Sequence, residues 1–260
     1  MNSQEEIADF IRNGSQYYLP HLSIDSVIFG YHNQQLKILL LKWIGYNGWG
    51  LPGGFIQRRE PLSEAANRIV QERTGLEDLF LQQFHIFGDS PYRLQERSVR
   101  EFTEKYGLDV GADEDNWLFE RTLSVGYFAL VDYFRVSVRT DIFTYDYQWW
   151  DVGEIPPLLF DQNEVVEKAL ATLRLQIYHQ PIGYNLLPEK FTLPEIHSLY
   201  ETILGKELDG RNFSKKLVAL GLIKKLDERR AIGPHRSPYL YQFEKDAYED
   251  ALKQGIVHTY

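Results

Sequence analysis

The stretch GGFIQRREPLSEAANRIVQERTGL, residues 53–76, decides the fold of this chain. A glycine pair opens it, Pro61 stands where a helix would begin, and Gly75 stands where that helix would end. Between the two, apolar residues recur at helical spacing, namely Leu62, Ala65, Ala66, Ile69 and Val70. The pattern predicts a glycine loop followed by an amphipathic helix.

Apolar runs on both sides of this stretch predict a sheet. Residues 22–32 and 36–43 are typical of two strands joined by a short polar turn, and residues 79–87 and 124–134 predict two more. A further strand, a proline turn and a helix over about 162–178 would complete the domain. The long polar segment before the strand at 124 is of a length that usually covers a site or is mobile.

Composition limits the classes of protein to which the chain can belong. Its 260 residues are 43% hydrophobic, enough for one large or two medium domains. It has no cysteine, which rules out disulfides and thiolate chemistry, and a net charge of -9, which argues against non-specific binding to polyanions. We find neither a membrane-spanning apolar run nor a signal-peptide pattern, and therefore expect a cytoplasmic protein.

The charge is distributed unevenly along the chain. Residues 205–245 hold ten Lys or Arg and five Asp or Glu, a local balance of +5 within an acidic protein. This reversal indicates a basic module attached to an acidic one. We predict two domains, one spanning residues 1–180 and the other residues 181–260.

The opening stretch resembles the Nudix box in its spacing of Gly54, Glu60, Arg68, Gly75 and Leu76. In that family three helix glutamates bind Mg²⁺ or Mn²⁺ for hydrolysis of diphosphates. The three positions here hold Ile69, Glu72 and Arg73, which share one helix face and change its formal charge from -3 to zero. We therefore predict a Nudix-like domain without a metal site, a cofactor or hydrolase activity.

The charged residues that match the box, Glu60 and Arg68, have two interpretations. Glu60 and Arg68 would serve catalysis in an active enzyme, but an ion pair that braces the loop against the helix is the preferred interpretation. Glu72 is as suited to pairing with Arg68, four residues earlier, as with a metal ion.

The basic module has the pattern of a winged helix-turn-helix. FTLPE at 191–195 predicts a capping-box helix start, and a second helix over about 209–220 would bury Phe213, Leu217 and Leu220. A basic hairpin around Gly233 and Pro234 would form the wing. The predicted DNA-contacting residues are Arg211, Asn212, Ser214 and Lys215 of the recognition helix and Arg229, Arg230 and Arg236 of the wing. The alternative is a small helical dimerisation domain with solvated charges.

Taken together, the Nudix-like region and this module resemble the Nudix-related transcriptional regulators. The resemblance implies an α+β protein: a Nudix-like α/β/α sandwich with a mixed sheet, followed by a winged helix-turn-helix domain. Within that family the chain is similar to arabinose-responsive repressors of Bacteroides. This implies a homodimer that binds double-stranded operator DNA and is released by L-arabinose.

A former Nudix cleft is the expected place for a small polar effector. The candidate contacts are Asp25, Lys42, Asp89, Arg93 and Arg121. Trp117 and Tyr127 have the side chains to stack on a sugar, although aromatic residues more often belong to the core. The alternative function is a divergent metal-dependent Nudix hydrolase of a nucleoside diphosphate compound.

Overall fold

The computed structural model describes residues 3–43, 48–77, 79, 81–90, 116–118, 120–177, 183–184, 186–230 and 237–254. The chain divides into two compact units by its contacts. The first unit comprises residues 1–29, 38–129 and 135–169, and the second comprises residues 30–37, 130–134 and 170–260. The division follows contacts rather than chain order, so the tip of the first hairpin belongs to the second unit.

One seven-stranded sheet runs through the Nudix-like region. Its strands are β1 (Tyr18–His32), β2 (Gln35–Trp43), β3 (Trp49–Gly50), β4 (Gly53–Gln57), β5 (Leu81–Phe87), β6 (Leu123–Val131) and β7 (Thr144–Asp151). Five of them lie in the order β3-β2-β1-β6-β5, while β4 pairs with β1 and β7 pairs with β2. All the strands that the sequence predicted are present, with ends that differ by a few residues.

The first hairpin turns at Asn33 and Gln34. Both residues have positive φ, 50° and 59°, which is the backbone of a type I′ turn. This turn matches the right-handed twist of the flanking strands. The predicted hairpin is therefore confirmed, and its turn uses two side-chain-bearing residues in a conformation that glycine adopts more easily.

The predicted box helix is α2 (Leu62–Thr74). It follows Pro61 and ends at Gly75, whose φ of 68° is the left-handed conformation that terminates many helices. Its apolar stripe is buried against the sheet in one cluster. That cluster includes Ala65, Ala66 and Ile69 of the helix and Ile24, Ile56, Val125 and Tyr127 of the strands. Because this stripe is buried, only the remaining face of α2 can contact a ligand or a metal ion.

Helix α1 (Ser3–Tyr17) was not predicted. Ile7 and Ile11 are buried and Phe10 is half-buried, so the apolar residues do have the spacing of an amphipathic helix, which was overlooked in the sequence. The two isoleucines pack with Leu118, Ile142 and other apolar residues from distant segments. The helix from Gln162 to Gln176, here α3, was predicted and is confirmed.

The second unit contains the basic module. Its elements are α4 (Leu193–Leu204), α5 (Gly210–Ala219), β8 (Ile223–Arg229), β9 (Tyr239–Phe243) and α6 (Lys245–Gln254). Thr192 and Glu195 form the predicted capping box at the start of α4. Tyr200 of α4 and Phe213 of α5 pack ring against ring with centroids 4.9 Å apart. Helix, helix and antiparallel β8–β9 hairpin follow in the order of a winged helix.

Parts of two predicted features fall outside the described residues. The polar segment before β6 is described only at residues 88–90, 116–118 and 120–122, and the wing tip at 231–236, with Arg236, is not described. None of the helices that the structure describes is both long enough and apolar enough to cross a membrane.

Candidate functional site

An ion pair braces the glycine loop against α2. Arg68 Nε donates to Glu60 Oε1 at 2.7 Å and Arg68 Nη2 donates to Glu60 Oε2 at 2.9 Å. The same Nη2 donates to the carbonyl of Phe55 on β4, and the backbone N–H of Gln57 donates to Glu60. The hydrogen bond from Arg68 lowers the pKa of Glu60, and that from Glu60 raises the pKa of Arg68. The predicted bracing pair is confirmed, and it occupies both carboxylate oxygens.

The three metal-ligand positions of the box carry no common ligand set. Ile69 is fully buried and packs against Gly54, where an added Cβ would lie 3.2 Å from the isoleucine side chain. Glu72 is half exposed and lies 3.4 Å from Arg68, as predicted. Among the described residues no group of three His, Asp or Glu side chains is placed to hold a metal ion.

Arg73 holds the third position with its own counter-ion. Its Nη2 donates to Asp141 Oδ2 at 2.5 Å and lies 3.5 Å from the carbonyl oxygen of Gly53. Asp141 is fixed in turn, because its Oδ1 accepts from the backbone N–H of Phe143 and the hydroxyl of Thr144. A permanent cation and a carboxylate thus stand together where the family places its metal ligands.

Arg73 retains hydrogen-bonding capacity that this partner does not use. Its side chain is only 12% exposed, and its Nε is buried with no hydrogen-bond partner among the described residues. A buried guanidinium N–H without an acceptor is costly, and such groups merit a functional explanation. The sequence predicted the loss of the glutamate but not the pairing with Asp141, which lies 68 residues away.

Three aromatic rings pack together in the same unit. Phe143 lies two residues beyond Asp141, and its ring packs edge-on against Phe10 of α1 at 5.3 Å. Phe10 also packs against Phe55 of β4, at 5.8 Å, and against Trp117, at 5.5 Å. Phe10, Phe55 and Phe143 are half-buried rather than enclosed. We call these three rings the aromatic cluster.

The predicted effector residues do not converge. Asp25 is buried and its two oxygens accept from Gln162 Nε2 at 2.8 Å and Ser124 Oγ at 2.6 Å, so it ties β1 to β6 and α3. Lys42 lies on β2, with its Nζ 5.4 Å from the ring centroid of Trp49. In the sheet, β1 and β6 lie between β2 and β5. Lys42 on β2 is therefore remote from Asp89, which follows β5.

Two other predicted effector residues do lie together. Arg121 donates to the carbonyl of Gly88 at 3.2 Å, directly before the exposed Asp89. Arg93 lies outside the described residues. Trp117 and Tyr127 are both buried, with Trp117 Nε1 donating to the Ile11 carbonyl, so they belong to the core rather than to a stacking surface.

Helix α5, for which a recognition role was predicted, has its start and most of its buried face where the sequence placed them. Asp209 caps α5 by accepting from the backbone N–H groups of Arg211 and Asn212, and it also holds the Asn212 side-chain amide at 2.8 Å. Phe213 and Leu217 are buried as predicted. The prediction for Leu220 was wrong. It follows the last turn of α5 and is 43% exposed.

The exposed side of α5 carries its charges. Arg211 and Lys215 are exposed and Ser214 is half-buried. Within the part of the chain that the structure describes, the Arg211 guanidinium has no ion-pair partner. This face is therefore open to a polyanion.

The wing arginines are engaged within the module. Arg229 donates to the carbonyl of Ser237 at 2.8 Å, and its guanidinium stacks 3.8 Å from the Tyr239 ring centroid. Arg230 forms an ion pair with Glu195 and donates to the carbonyl of Lys190 at 2.9 Å. Arg230 therefore links the wing to the start of α4, a structural role that the sequence did not indicate.

Comparison with known proteins identifies both regions. The profile of the NUDIX domain matches residues 19–169, and that of the NrtR DNA-binding winged helix domain matches residues 183–243. The ADPR responsive transcriptional repressor NtrR of Acinetobacter baylyi is 28% identical over 243 residues, covering 90% of this chain and 86% of the relative.

Solved structures agree with this fold. NrtR of Shewanella oneidensis in complex with a 27mer DNA is 27% identical, with a TM-score of 0.67, and the match covers 88% of this chain and 95% of that chain. A MutT/nudix family protein from Enterococcus faecalis shares the fold at 21% identity, with a TM-score of 0.61, over 94% of this chain and all of that chain. The predicted fold class is confirmed. The arabinose effector finds no support here, since the Acinetobacter relative is described as responsive to ADPR.

Proposed function

Since the chain belongs to the Nudix family, and ends in a winged helix of the NrtR type, we propose that it is a transcriptional repressor whose Nudix domain senses a sugar-containing effector. The contrast between two helices carries the proposal. Helix α2 presents Ile69 and Arg73 at metal-ligand positions, while α5 presents exposed cations on a capped helix. The first arrangement is unsuited to metal-assisted hydrolysis, and the second is suited to the major groove of DNA.

The effector that the relatives support is ADP-ribose. The Acinetobacter protein is described as ADPR responsive, and it matches this chain through both regions. L-Arabinose, which the family resemblance implied, belongs in the same assay as a competing candidate. Both molecules contain a pentose, so the cleft need only recognise pentose hydroxyls to accept either.

DNA would be bound by a homodimer. Two-fold regulators place two recognition helices about 34 Å apart on successive major grooves. In this chain Arg211, Asn212 and Lys215 are exposed on α5 and would lie toward base edges or phosphates. An effector that changes the geometry of the dimer would then release the operator, with a typical coupling of about 1 to 3 kcal/mol.

The proposal is tested by DNA binding and by hydrolysis in the same preparation. A duplex selected by the purified protein from a random-sequence pool serves as the operator probe. We expect ADP-ribose to weaken binding to this duplex about 5 to 150-fold, and the duplex to weaken ADP-ribose binding by the same factor. Failure of every sugar and nucleotide sugar to change the affinity would exclude effector control.

Hydrolysis separates this proposal from the alternative of a divergent enzyme. With Mg²⁺ or Mn²⁺ present, we expect no turnover of ADP-ribose or other nucleoside diphosphate compounds. Turnover of about 1 per second or more, which is ordinary for enzymes, would establish a hydrolase instead. An active Nudix hydrolase assayed in parallel controls for the metal and the substrate.

A further inference from the structure

We propose that Arg73, Asp141 and the aromatic cluster form a metal-independent subsite for the pentose ring of the effector. The proposal rests on the proposed function, because it names the part of the Nudix domain that holds the sugar. It assigns a binding role to the side chain that stands in place of a metal ligand.

The first step concerns the hydrogen-bonding groups. A carboxylate has about four acceptor positions, and three donors among the described residues reach Asp141: Phe143 N–H, the Thr144 hydroxyl and Arg73 Nη2. Within the described part of the chain one position remains on Oδ2, beside a guanidinium whose buried Nε finds no acceptor there. An acceptor and a donor side by side match a hydroxyl, which both donates and accepts, and suit two neighbouring hydroxyls best.

The second step concerns charge. Arg73 and Asp141 together carry no net charge, and Ile69 adds none. A diphosphate brought to this corner would gain from Arg73 but would be repelled by the carboxylate of Asp141 in a poorly solvated place. A neutral polyol meets no such repulsion. The pair therefore favours the sugar part of an effector over its phosphates.

The third step concerns the apolar face of the sugar. Phe143 lies two residues after Asp141 in the chain. Phe55 lies two residues after Gly53, whose carbonyl oxygen is 3.5 Å from Arg73 Nη2. Phe10 packs on both of these rings. Ligand sites commonly join such apolar walls to a few well-placed polar groups. The half-buried rings of the aromatic cluster supply that wall.

Two sources can provide the pentose. It is either the terminal ribose of ADP-ribose or a free pentose such as L-arabinose. The shared chemistry is a five-carbon ring with neighbouring hydroxyls, and calorimetric titration of the full chain with each ligand distinguishes them. ADP, which has the diphosphate but no terminal ribose, is the matched ligand control. All titrations are run in EDTA and repeated with Mg²⁺.

The test uses two variants at the subsite and one elsewhere. Arg73→Lys keeps the positive charge beside Asp141 but removes the fork of guanidinium donors, so it is expected to fold normally. Asp141→Asn keeps the shape but removes the carboxylate. Lys245→Gln removes a charge from an exposed ion pair on α6 and serves as the control.

We expect both subsite variants to bind the pentose ligand at least 10-fold more weakly, with ADP binding and effector-free DNA binding within twofold of wild type. EDTA is expected to leave the wild-type affinity unchanged. Wild-type affinity for the pentose ligand in Arg73→Lys, or loss of binding in EDTA, would overturn the subsite. If wild type bound no pentose compound at all, the sensor function proposed above would fall with it.

Discussion

Helices α2 and α5 use their cations in opposite ways. On α2, Arg68 and Arg73 each turn inward to a carboxylate of the same unit. On α5, Arg211 and Lys215 are exposed, while Asp209 caps the helix and its apolar side chains are buried within the module. A cation with its counter-ion inside the chain contributes to stability and to the shape of a site. A cation that lacks one is available to a partner, and the two kinds of residue should respond differently to substitution.

The largest effect is expected from Asp141→Ala. It leaves the mostly buried Arg73 without its counter-ion, and we expect the first unit to lose about 3 kcal/mol of stability. All five tryptophans belong to that unit: Trp43, Trp49, Trp117, Trp149 and Trp150. Tryptophan fluorescence during urea unfolding therefore reports the first unit. DNA affinity without effector should be unchanged, and a shift of less than 0.5 kcal/mol would show that the pair is not stabilising.

Arg211→Ala should have the converse effect. We expect affinity for the selected duplex to fall by about 1 to 3 kcal/mol, with little change for a scrambled duplex and none in thermal stability. Arg230→Ala is the contrasting variant, because its guanidinium ties the wing to Glu195. It should destabilise the module and weaken both duplexes, as measured by circular dichroism and gel shift. Equal, unchanged affinities for both variants would remove the assignment of α5 as recognition helix.

Glu60→Gln tests the ion pair that the Nudix box retains. We expect a loss of about 1.5 kcal/mol at neutral pH, since Arg68 keeps a backbone acceptor and only the charge-assisted bonds are lost. Because Arg68 lowers the pKa of Glu60 in the folded state, the stabilisation is complete above the ordinary pKa of a glutamate. It disappears as the pH falls through the lower folded value. Wild type and variant should therefore converge in acid, and a constant difference down to pH 2 would contradict the assignment.

The smallest effect belongs to Glu72→Ala. Glu72 is half exposed and lies one helical turn from Arg68 at 3.4 Å. Exposed pairs of this kind contribute about 0.3 to 0.5 kcal/mol. The same urea titration measures it, ideally at low salt, where the difference should be greatest. A loss above 1 kcal/mol would give Glu72 a role that its position does not explain.

The sequence could predict contacts between residues that are close in the chain, but not contacts between distant ones. The Glu60–Arg68 pair spans eight residues within one motif, and the capping box of α4 spans three, so both follow from local spacing. The partners of Arg73 and Arg230 lie 68 and 35 residues away and depend on packing between separate elements. No local pattern marks Asp141 or Glu195 as a counter-ion. The strands and the box helix were predictable because their apolar periodicity is strong.

Helix α1 and the surroundings of the effector residues were not predicted from the sequence. The apolar residues of α1 have helical spacing that was overlooked, and the segments on which the helix packs lie more than 100 residues away, where no local pattern could identify them. Asp25 was a reasonable effector candidate by its place on β1. In the fold its carboxylate accepts hydrogen bonds from Ser124 and Gln162, two residues that only the tertiary structure brings near it.

The contact between Gly54 and Ile69 also constrains the evolutionary history of the chain. A glutamate restored at position 69 would enter a sealed apolar cluster, where an ionised carboxylate is strongly disfavoured. A glutamate restored at position 73 would face Asp141 without a cation between them. Each reverse step is disfavoured when taken alone, so regaining three acidic residues on α2 also requires changes among the residues that surround positions 69 and 73.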